Sequence, residues 1–394
     1  MSTAAVPPIL LDPATIRARV ERLLYDFLDD QEQGAPDLPE LALFTGKLRA
    51  MLAAGGKRVR PVLCLVGWHS ITDRTPPPAV WRVAASLELF HTFALIHDDI
   101  MDNSDTRRGQ TTAHRALATQ HAGRRDADSL GVNTAILLGN LAFGWSYELL
   151  HADDVTPAQN RRTRPLLNAL RTEALVGQYL DLAAAGKPDA DPHIAWRIIR
   201  YKTAKYTVER PLTLGATLAS ATDQQLNALS AYALPLGEAF QLRDDLLGIW
   251  GNPAETGKST LDDLREGKHT VLYALALQRA TIPQQRSLHR AFGQPHLTET
   301  DAEDIRSVLT ASGARTTTEQ MITDRREQAL AALHTADFRP TGPIWLRHLA
   351  HTLTTRSGLS LTDTNEGTVG TGELPSRPDT PRAPTEKTSP GPGV

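Results

Sequence analysis

The 394-residue sequence has little cysteine and almost no excess of charge. Its single cysteine, Cys64, excludes a disulfide within the chain and fits a reducing compartment. Cys64 lies in an apolar run, which favours a small core residue over a nucleophile. A formal net charge of −3 gives no reason to expect a nucleic acid partner. Strand-like alternation and repeats of fixed period are also missing, whereas apolar residues recur at helical spacing, so an all-α fold is expected.

Long hydrophobic runs are scarce as well. The stretch from Thr134 to Leu150 is taken as the most apolar, and Asn140 and Glu148 interrupt it, so it is too short and too polar to span a membrane. The N-terminal residues 1–8 lack both a basic region and a long apolar stretch, and therefore do not resemble a signal peptide. We expect a cytoplasmic protein without a membrane span.

The chain divides by composition into a helical domain and two tails. Asp12-Pro13 is a helix start, with Asp as the N-cap and Pro at the first helical position. Helical signals then continue to about Thr355, with four helices expected after the second acidic motif described below. From about residue 357 the chain is dominated by Thr, Ser, Pro and Gly, which predicts a disordered tail. The expected organisation is a flexible N-terminus (1–11), one helical domain (12–356) and a disordered tail (357–394).

The most informative stretch is the end of a long apolar helix, where Asp98, Asp99 and Asp102 occur together. Asp98 and Asp102 are four residues apart and therefore share one helix face. Carboxylates this close repel each other unless a cation lies between them, and oxygen ligands suit Mg²⁺. The alternative is a solvent-exposed acidic helix end, but acids at a helix C-terminus oppose the helix dipole.

Other charged residues fit the same chemistry. Asp244 and Asp245 end a second apolar helix, and two such ends could hold a diphosphate between them through several Mg²⁺ ions. Lys57 and Arg60 follow the glycine pair Gly55-Gly56 at a helix start, where a bound anion would favour basic residues, although a solvated basic turn is equally compatible.

A third group of polar residues lies on two later helices. Lys202, Thr203 and Lys205 occur in an apolar helical run, where a cation needs a partner that a diphosphate would supply. Asp181 is either an acid near the metals or a polar residue satisfied at a helix crossing.

Together these motifs resemble those of the trans-isoprenyl diphosphate synthases, or polyprenyl synthetases. No single match is specific, but the set follows the family order from about residue 40 to about residue 350. One position departs, because Gly248 stands where many members carry the third acid of the second motif. The matching elements are Gly55-Gly56-Lys57-x-x-Arg60-Pro61, Asp98-Asp99-x-x-Asp102, Arg107-Arg108-Gly109, Gly177-Gln178-x-x-Asp181, Lys202-Thr203, Phe240-Gln241-x-x-Asp244-Asp245, Gly257-Lys258 and Asp263-Leu264-x-x-Gly267-Lys268.

The resemblance implies a single large helical bundle around a deep central cavity, most like a bacterial geranylgeranyl diphosphate synthase, and a homodimer. It assigns up to three Mg²⁺ ions, replaceable by Mn²⁺, to Asp98, Asp102 and Asp244. Because it implies that Asp244 is the main ligand of the second motif, Gly248 is expected to spare metal binding.

The resemblance also assigns the substrates. Four residues are expected to bind isopentenyl diphosphate: Lys57, Arg60, His91 and Arg108. A second set is expected at the allylic diphosphate: Arg107, Lys202, Thr203, Gln241 and Lys258, the last in a Gly- and Pro-containing loop that predicts a mobile flap. The implied catalytic residues are Asp98, Asp102, Lys202, Asp244 and Lys258. Taken alone, a histidine such as His91 would more often be a packed core residue.

The implied reaction is head-to-tail condensation, in which the allylic diphosphate leaves and the double bond of isopentenyl diphosphate attacks. No side-chain base is obvious, and the leaving diphosphate could take the proton. Phe90, Phe93 and Ala94 precede Asp98 by eight, five and four residues and are expected to line the chain-length pocket. In the family an aromatic residue followed by a small one resembles a C20 producer, so geranylgeranyl diphosphate is expected. Farnesyl or longer-chain synthases are alternatives.

Two rival functions share part of this pattern. A class I terpene cyclase would need no second diphosphate site, which Lys57, Arg60 and His91 argue against. A non-catalytic subunit of a partner synthase would be expected to lose acids of the first motif, and all three are present.

Overall fold

Helices make up nearly all the regular structure of the computed structural model, which describes residues 12–150, 155–253 and 259–355. The chain from His193 to Leu218 forms one continuous helix with a π-helical middle, Ile199–Glu209. The α-helices are α1 (Pro13–Gly34), α2 (Leu41–Ala53), α3 (Val59–Ile71), α4 (Pro78–Met101), α5 (Ala113–Gln120), α6 (Ala127–Glu148), α7 (Pro157–Ala184), α8 (His193–Ile198), α9 (Arg210–Leu218), α10 (Asp223–Trp250), α11 (Asp262–Arg265), α12 (Val271–Arg279), α13 (Ile282–Ala291), α14 (Glu299–Ala311), α15 (Ala314–Ala332) and α16 (Thr341–Thr354).

The all-α prediction is confirmed, with three corrections. Strands β1 (Thr106–Arg107) and β2 (Gln110–Thr111) form a short antiparallel hairpin that the sequence did not indicate. Two residues per strand are too few to show alternation. Helix α5 was also not predicted, and the described chain has six helices between Asp262 and Thr354 rather than four. The predicted tails and Lys258 lie outside the described residues.

Capping residues explain where several helices begin. Asp12 accepts hydrogen bonds from the backbone N–H groups of Ala14 and Thr15, as its sequence context predicts. Thr156 and Thr222 begin α7 and α10 through reciprocal capping boxes with the glutamines three residues later. These two helices carry Asp181 and Asp244 toward the same region of the molecule.

Helix α4 lies at the centre of the larger hydrophobic core. It packs against α3 on one side and α6 on the other. Among the described residues it is the one helix long and apolar enough to span a membrane, but 78% of its apolar window is buried inside the fold. Helix α4, and not the stretch of residues 134–150, is therefore the most apolar long segment described. Its composition is that of a helix buried in a protein core. Its C-terminal end presents Asp98 and Asp102.

Helices α3 and α9 cross at backbone contact. A Cβ atom at Gly215 would lie 1.8 Å from the carbonyl oxygen of Cys64, and one at Gly67 would lie 2.0 Å from that of Leu212. Both atoms belong to rigid helix backbone, so a side chain at either position would force the helices apart. Cys64 is fully buried at this crossing, which confirms its prediction as a core residue.

We expect Gly215→Ala to lower the free energy of unfolding by about 1–3 kcal/mol or more, because the added methyl group overlaps backbone atoms. Gly46→Ala is the matched control, since a Cβ at Gly46 of α2 meets nothing within 4 Å. That exchange should stabilise the protein by about 0.5–1 kcal/mol. Urea unfolding of both variants measures the difference, and equal stabilities would contradict the crossing geometry.

Candidate active site

Asp98 is the meeting point of side chains from three other segments. Its Oδ1 accepts hydrogen bonds from Gln178 Nε2 at 2.9 Å and from Lys202 Nζ at 3.2 Å. Its Oδ2 accepts one from Arg107 at 3.2 Å. Burial alone would raise the pKa of Asp98, but the charges of Lys202, Arg107 and Lys268 outweigh it and lower the pKa. Asp98 is therefore a carboxylate held ionised among cations.

Asp102, one turn further along, is in the opposite electrostatic situation. Burial raises its pKa to about 7, and the charges of Asp98 and Glu266 act in the same direction. The pKa values of these two acids on one helix face thus shift in opposite directions, because cations surround Asp98 whereas burial and the charge of Asp98 act on Asp102. A cation between them would relieve that repulsion, as the sequence pattern indicated.

The second acidic motif faces the first across a cavity of about 180 Å³. Asp244 is exposed, whereas Asp245 is buried and accepts a hydrogen bond from Gln241 Nε2 at 2.8 Å. Burial raises the pKa of Asp245 to about 8, and the charges of Asp244 and Asp263 add to the effect. The charged and acidic side chains that line the cavity come from five segments: Asp98, Asp181, Lys202, Asp244, Asp245, Asp263 and Lys268.

The π-helical segment places Lys202 and Thr203 at this cavity. It crosses α7 and α10 so closely that a Cβ at Gly177 would lie 2.5 Å from the backbone nitrogen of Lys202, and one at Gly237 would lie 2.4 Å from Cα of Ala204. Lys202 Nζ contacts Asp181 at 2.5 Å, and Thr203 donates to Gln241 Oε1 at 2.6 Å. Wide helical turns of this kind are frequent at functional sites.

Lys205 was expected to pair with a diphosphate, and the structure shows a different partner. Its Nζ lies 2.5 Å from Glu173 Oε1, and the same carboxylate accepts two hydrogen bonds from Arg210 at 2.8 Å. The partner that a buried cation requires is therefore a protein carboxylate here, and no diphosphate is needed to explain it.

Two of the basic residues predicted for isopentenyl diphosphate, Arg60 and Arg108, lie close enough to His91 to lower its pKa. Arg108 donates to the carbonyl oxygen of Gly55 and packs on Gly56, where a Cβ would lie 2.8 Å from its guanidinium. The guanidinium carbon of Arg60 lies 4.2 Å from the centre of the Tyr206 ring, and its Nη2 donates to Thr207 Oγ1 at 2.7 Å. Such a cluster of cations could bind an anion.

Burial shifts the pKa of two residues of this cluster. Burial, with the charges of Arg60 and Arg108, lowers the pKa of His91 well below its usual value, so the ring is neutral at neutral pH. Burial also lowers the pKa of Lys57, against the opposing charge of Asp244. The Nε of Arg60 is buried and makes no hydrogen bond to any described residue. An anion bound here would satisfy it.

An apolar cavity of about 200 Å³ lies under Asp98, and Phe90, Phe93 and Ala94 line it as predicted. Phe143 of α6 closes the same wall, with its ring centre 5.1 Å from that of Phe93 and 5.9 Å from that of Phe90. The role of Phe143 was not predicted, because nothing in its local sequence pattern shows that α6 packs beside α4.

Comparison with known proteins agrees with this arrangement. The polyprenyl synthetase family model matches residues 42–310. The chain belongs to the polyprenyl synthetase family. It is 31% identical over 268 residues to a geranylfarnesyl diphosphate synthase of Aeropyrum pernix, covering 67% of this chain and 78% of that enzyme. It is 28% identical over 305 residues to the octaprenyl diphosphate synthase of Escherichia coli, covering 76% and 87% of the two chains.

A solved structure is more similar still. A geranylgeranyl pyrophosphate synthase of Corynebacterium glutamicum, complexed with isoprenyl diphosphate and magnesium, has a TM-score of 0.82 and 38% identity and covers 88% of this chain and 99% of its own. The polyprenyl synthetase described here is therefore a trans-prenyl diphosphate synthase. The relatives differ in the length of the prenyl chain that they make, so family membership does not determine the product length of this enzyme.

The acids of this synthase fit Mg²⁺ only together with a substrate. Within residues 12–150, 155–253 and 259–355, no three Asp, Glu, His or Cys side chains lie close enough to form a metal site by themselves. Mg²⁺ commonly uses one or two carboxylates and completes its coordination with water and phosphate oxygens. Asp98 and Asp102 on one side and Asp244 on the other provide such partial sets.

Two residues of the acidic cavity, Lys268 and Asp181, belong to the matched motifs, but no definite role was assigned to them from the sequence. Lys268 Nζ contacts Asp263 at 2.7 Å and Glu266 at 2.9 Å, and its charge also lowers the pKa of Asp98. Asp181 was left open between two roles, and its contact with Lys202 places it at the site. The Gly-Lys and Gly-Gln-x-x-Asp patterns were the only signals for these residues in the sequence.

Proposed function

We propose that this prenyl diphosphate synthase condenses isopentenyl diphosphate head-to-tail with dimethylallyl, geranyl or farnesyl diphosphate, and that its main product is geranylgeranyl diphosphate. The observation that carries the proposal is the continuity of two cavities. Asp98, Lys202, Thr203 and Gln241 line both the acidic cavity and the apolar cavity under it. A diphosphate held at these residues would extend its hydrocarbon chain toward Phe93.

Asp98, Asp102 and Asp244 would hold up to three Mg²⁺ ions, with Mn²⁺ as a possible replacement, between the protein and the allylic diphosphate. The ions would supply Lewis-acid stabilisation of the departing diphosphate. Lys202, whose Nζ donates to the carboxylates of Asp98 and Asp181, would bind a diphosphate oxygen when the ions neutralise those acids. Thr203 and Gln241 hold each other in orientation at the same position.

Arg107 is the second cation of the proposed allylic site. It is ion-paired to Asp99 and Asp98, so it also fixes the first acidic motif. Lys258, outside the described residues, is proposed from the family motif alone. The departing diphosphate would remain among these cations and could accept the proton that condensation releases.

Isopentenyl diphosphate is proposed to bind at Lys57, Arg60, His91 and Arg108. The support is the buried, unsatisfied Nε of Arg60 and the neutral ring of His91 among arginines. Both would gain from a bound diphosphate, the arginine as a donor of charge-assisted hydrogen bonds.

Arg60→Ala should raise the KM for isopentenyl diphosphate about tenfold or more, because a charge-assisted hydrogen bond from the buried Nε of its guanidinium group is lost. The KM for the allylic primer should change much less. Arg164→Ala, which removes an exposed arginine of α7, is the control. Steady-state kinetics with each substrate varied in turn measures the difference, and a larger change for the allylic primer would reverse the proposed assignment of the two sites.

The C20 product is supported by the aromatic wall. Phe90, Phe93 and Phe143 form one cluster with ring centres 5.1–5.9 Å apart. Ala94 leaves space beside that cluster, so a chain can pass the helix turn nearest Asp98 before it meets the rings.

A homodimer is also proposed, on the basis of an exposed apolar patch on α6 and α7. Leu137 is 58% exposed and Tyr179 is 68% exposed, and Arg171 of α7 lies 4.7 Å from the ring of Tyr147 on α6, so the two faces adjoin. Apolar patches of this kind mark interaction surfaces. With α4 buried inside the fold, a cytoplasmic location is proposed as well.

We expect Leu137→Arg combined with Tyr179→Arg to convert the dimer to a monomer, because two charges would have to be desolvated in the interface. Ile282→Arg, at a residue that is 66% exposed on α13, is the matched control and should leave the dimer intact. Sedimentation should give twice the 43.0 kDa chain mass for the wild type and the control. A monomeric wild type would contradict the proposal.

A product assay tests the function directly. The purified protein, Mg²⁺ and labelled isopentenyl diphosphate are mixed with dimethylallyl, geranyl or farnesyl diphosphate in turn, and the dephosphorylated alcohols are sized. A single C20 alcohol from all three primers is expected. A C15 or longer alcohol would keep the elongation and reject the pocket argument. No elongation with any primer would favour the cyclase or the non-catalytic subunit.

A further inference from the structure

Arg58 lies between two residues of the proposed isopentenyl diphosphate site, yet its own side chain is closed off from that site. Lys57 precedes it and Arg60 follows it, at the start of α3. Only 1% of the Arg58 side chain is exposed, and each of its three guanidinium nitrogens donates a hydrogen bond to a protein oxygen. Arg58 is therefore buried in the protein and is not in a position to bind a diphosphate itself.

The oxygens that accept these hydrogen bonds belong to three helices. The Nε of Arg58 donates to Glu21 of α1 at 3.1 Å, and its Nη1 donates to Glu88 of α4 at 2.5 Å. Its Nη2 donates at 2.6 Å to the backbone carbonyl oxygen of Leu52, in the last turn of α2. Carbonyl groups there lack a partner within their own helix. The rigid fork of an arginine can serve several acceptors at once, so Arg58 joins three helices and caps one of them.

The backbone of Arg58 has a conformation that a residue with a side chain rarely adopts. Its φ is 47°, in the left-handed region, and Gly55 and Gly56 just before it also have positive φ values, of 82° and 148°. Glycine adopts such angles at no steric cost, whereas arginine does not. A residue stays in this region only when the surrounding structure holds it there, and here the guanidinium group is hydrogen-bonded on three sides.

The ion pair with Glu88 connects this turn to the helix that carries His91. Glu88 is 2% exposed and precedes His91 by three residues in α4, so the two residues share one helix face. Burial lowers the pKa of Arg108, and the charge of Glu88 opposes that shift, so the carboxylate lies near the cation cluster. Without Arg58, a buried carboxylate would lose its partner beside a site for an anion, which is unfavourable.

We propose that Arg58 is a positioning residue of the isopentenyl diphosphate site. It does not bind the substrate, but it fixes the turn of residues 55–58 between α2 and α4 and thereby places Lys57 and Arg60 beside His91. The inference rests on the proposed assignment of that site. No residue of this turn lines the acidic cavity around Lys202, so the affinity for the allylic diphosphate should depend much less on Arg58.

The Kd of isopentenyl diphosphate, measured by titration calorimetry without primer and without divalent metal, tests the proposal. Arg58→Met keeps a long unbranched side chain and removes the guanidinium group. It should raise the Kd about tenfold, because the site is no longer preorganised. Arg58→Gly should raise it as much, although glycine adopts the left-handed angle freely, because the missing group is again the guanidinium. In steady-state kinetics the KM for isopentenyl diphosphate should rise in parallel, and the KM for the allylic primer should change much less.

Arg49→Met is the matched control. Arg49 also joins α2 to α1, through an ion pair with Asp29 and a hydrogen bond to the carbonyl oxygen of Tyr25 at 3.4 Å, but none of these partners belongs to the turn of residues 55–58 or to α4. This variant should bind isopentenyl diphosphate as the wild type does. If Arg58→Met does not fold, Arg58→Met with Glu88→Met decides, because it removes both members of the buried ion pair. It should show the same raised Kd.

A double-mutant cycle with Arg60→Ala separates positioning from an independent effect. If Arg58 acts by placing Arg60 and Lys57, the variant with both Arg58→Met and Arg60→Ala should raise the Kd by less than the product of the two separate factors. The inference is wrong if the folded Arg58 variants bind isopentenyl diphosphate as the wild type does, if the two factors multiply in full, or if the KM for the primer rises equally. Wild-type protein that neither binds isopentenyl diphosphate nor elongates a primer would instead reject the proposed function.

Discussion

Asp98→Asn should lower kcat for chain elongation roughly 1000-fold, in the range found when a group that stabilises developing charge is removed. Asp98 is the acid on which Gln178, Lys202 and Arg107 converge, and it also lines the apolar cavity. The amide keeps the size of the side chain but gives up the charge that a metal ion and two cations require. The effect is therefore electrostatic rather than a matter of packing.

The measurement is steady-state kinetics with saturating primer and Mg²⁺. Asp126→Asn is the control, because Asp126 also pairs with an arginine, Arg124, but on the surface with 57% of its side chain exposed. That variant should keep its full activity, since exposed ion pairs contribute little. An Asp98→Asn enzyme within tenfold of the wild type would remove Asp98 from the catalytic residues.

Ala94→Phe should shorten the main product from C20 to C15. Ala94 lines the apolar cavity one helix turn before Asp98, beside the ring of Phe93, and the added phenyl ring would fill the space through which the growing chain passes. The neighbouring rings cannot give way easily, because Phe93 is packed 5.2 Å from Phe90 and 5.1 Å from Phe143. Elongation should stop one isoprene unit earlier, with the first condensation largely retained.

Phe93→Ala makes the opposite change and should give products longer than C20. Ala331→Phe, at an exposed position of α15 that does not line the cavity, is the matched control and should leave the product at C20. Sizing the alcohols from each variant with farnesyl and geranyl diphosphate is the measurement. An active Ala94→Phe enzyme with unchanged product length would show that the chain follows another path.

The sequence by itself determined the all-α fold class, the starts of several helices and the spacing of the acids at their ends. Several helices are capped by a side chain that contacts residues at most three positions away, as at Asp12, Thr156 and Thr222. Such helix starts can therefore be predicted from the local sequence. The spacing of Asp98 and Asp102 likewise needs only the helix repeat. The resemblance of the ordered motifs then gave the family, because several local patterns must coincide.

Short secondary-structure elements, and contacts between residues far apart in the chain, could not be predicted from the sequence in this way. The β1–β2 hairpin and α11 are too short to show a period, and Lys205 finds its partner Glu173 on another helix. Arg108 reaches its place because Gly56, far away in the chain, leaves room for it.

The floor of the apolar cavity and the acid beside Gly248 were decided by tertiary structure alone. Phe143 closes the wall because α6 packs on α4, and Gly248 has no space for a side chain because the carboxylate of Asp263 lies against it. The physical reason is the same in both cases. A helix repeat fixes which residues share a face, but only packing between segments fixes what stands opposite that face.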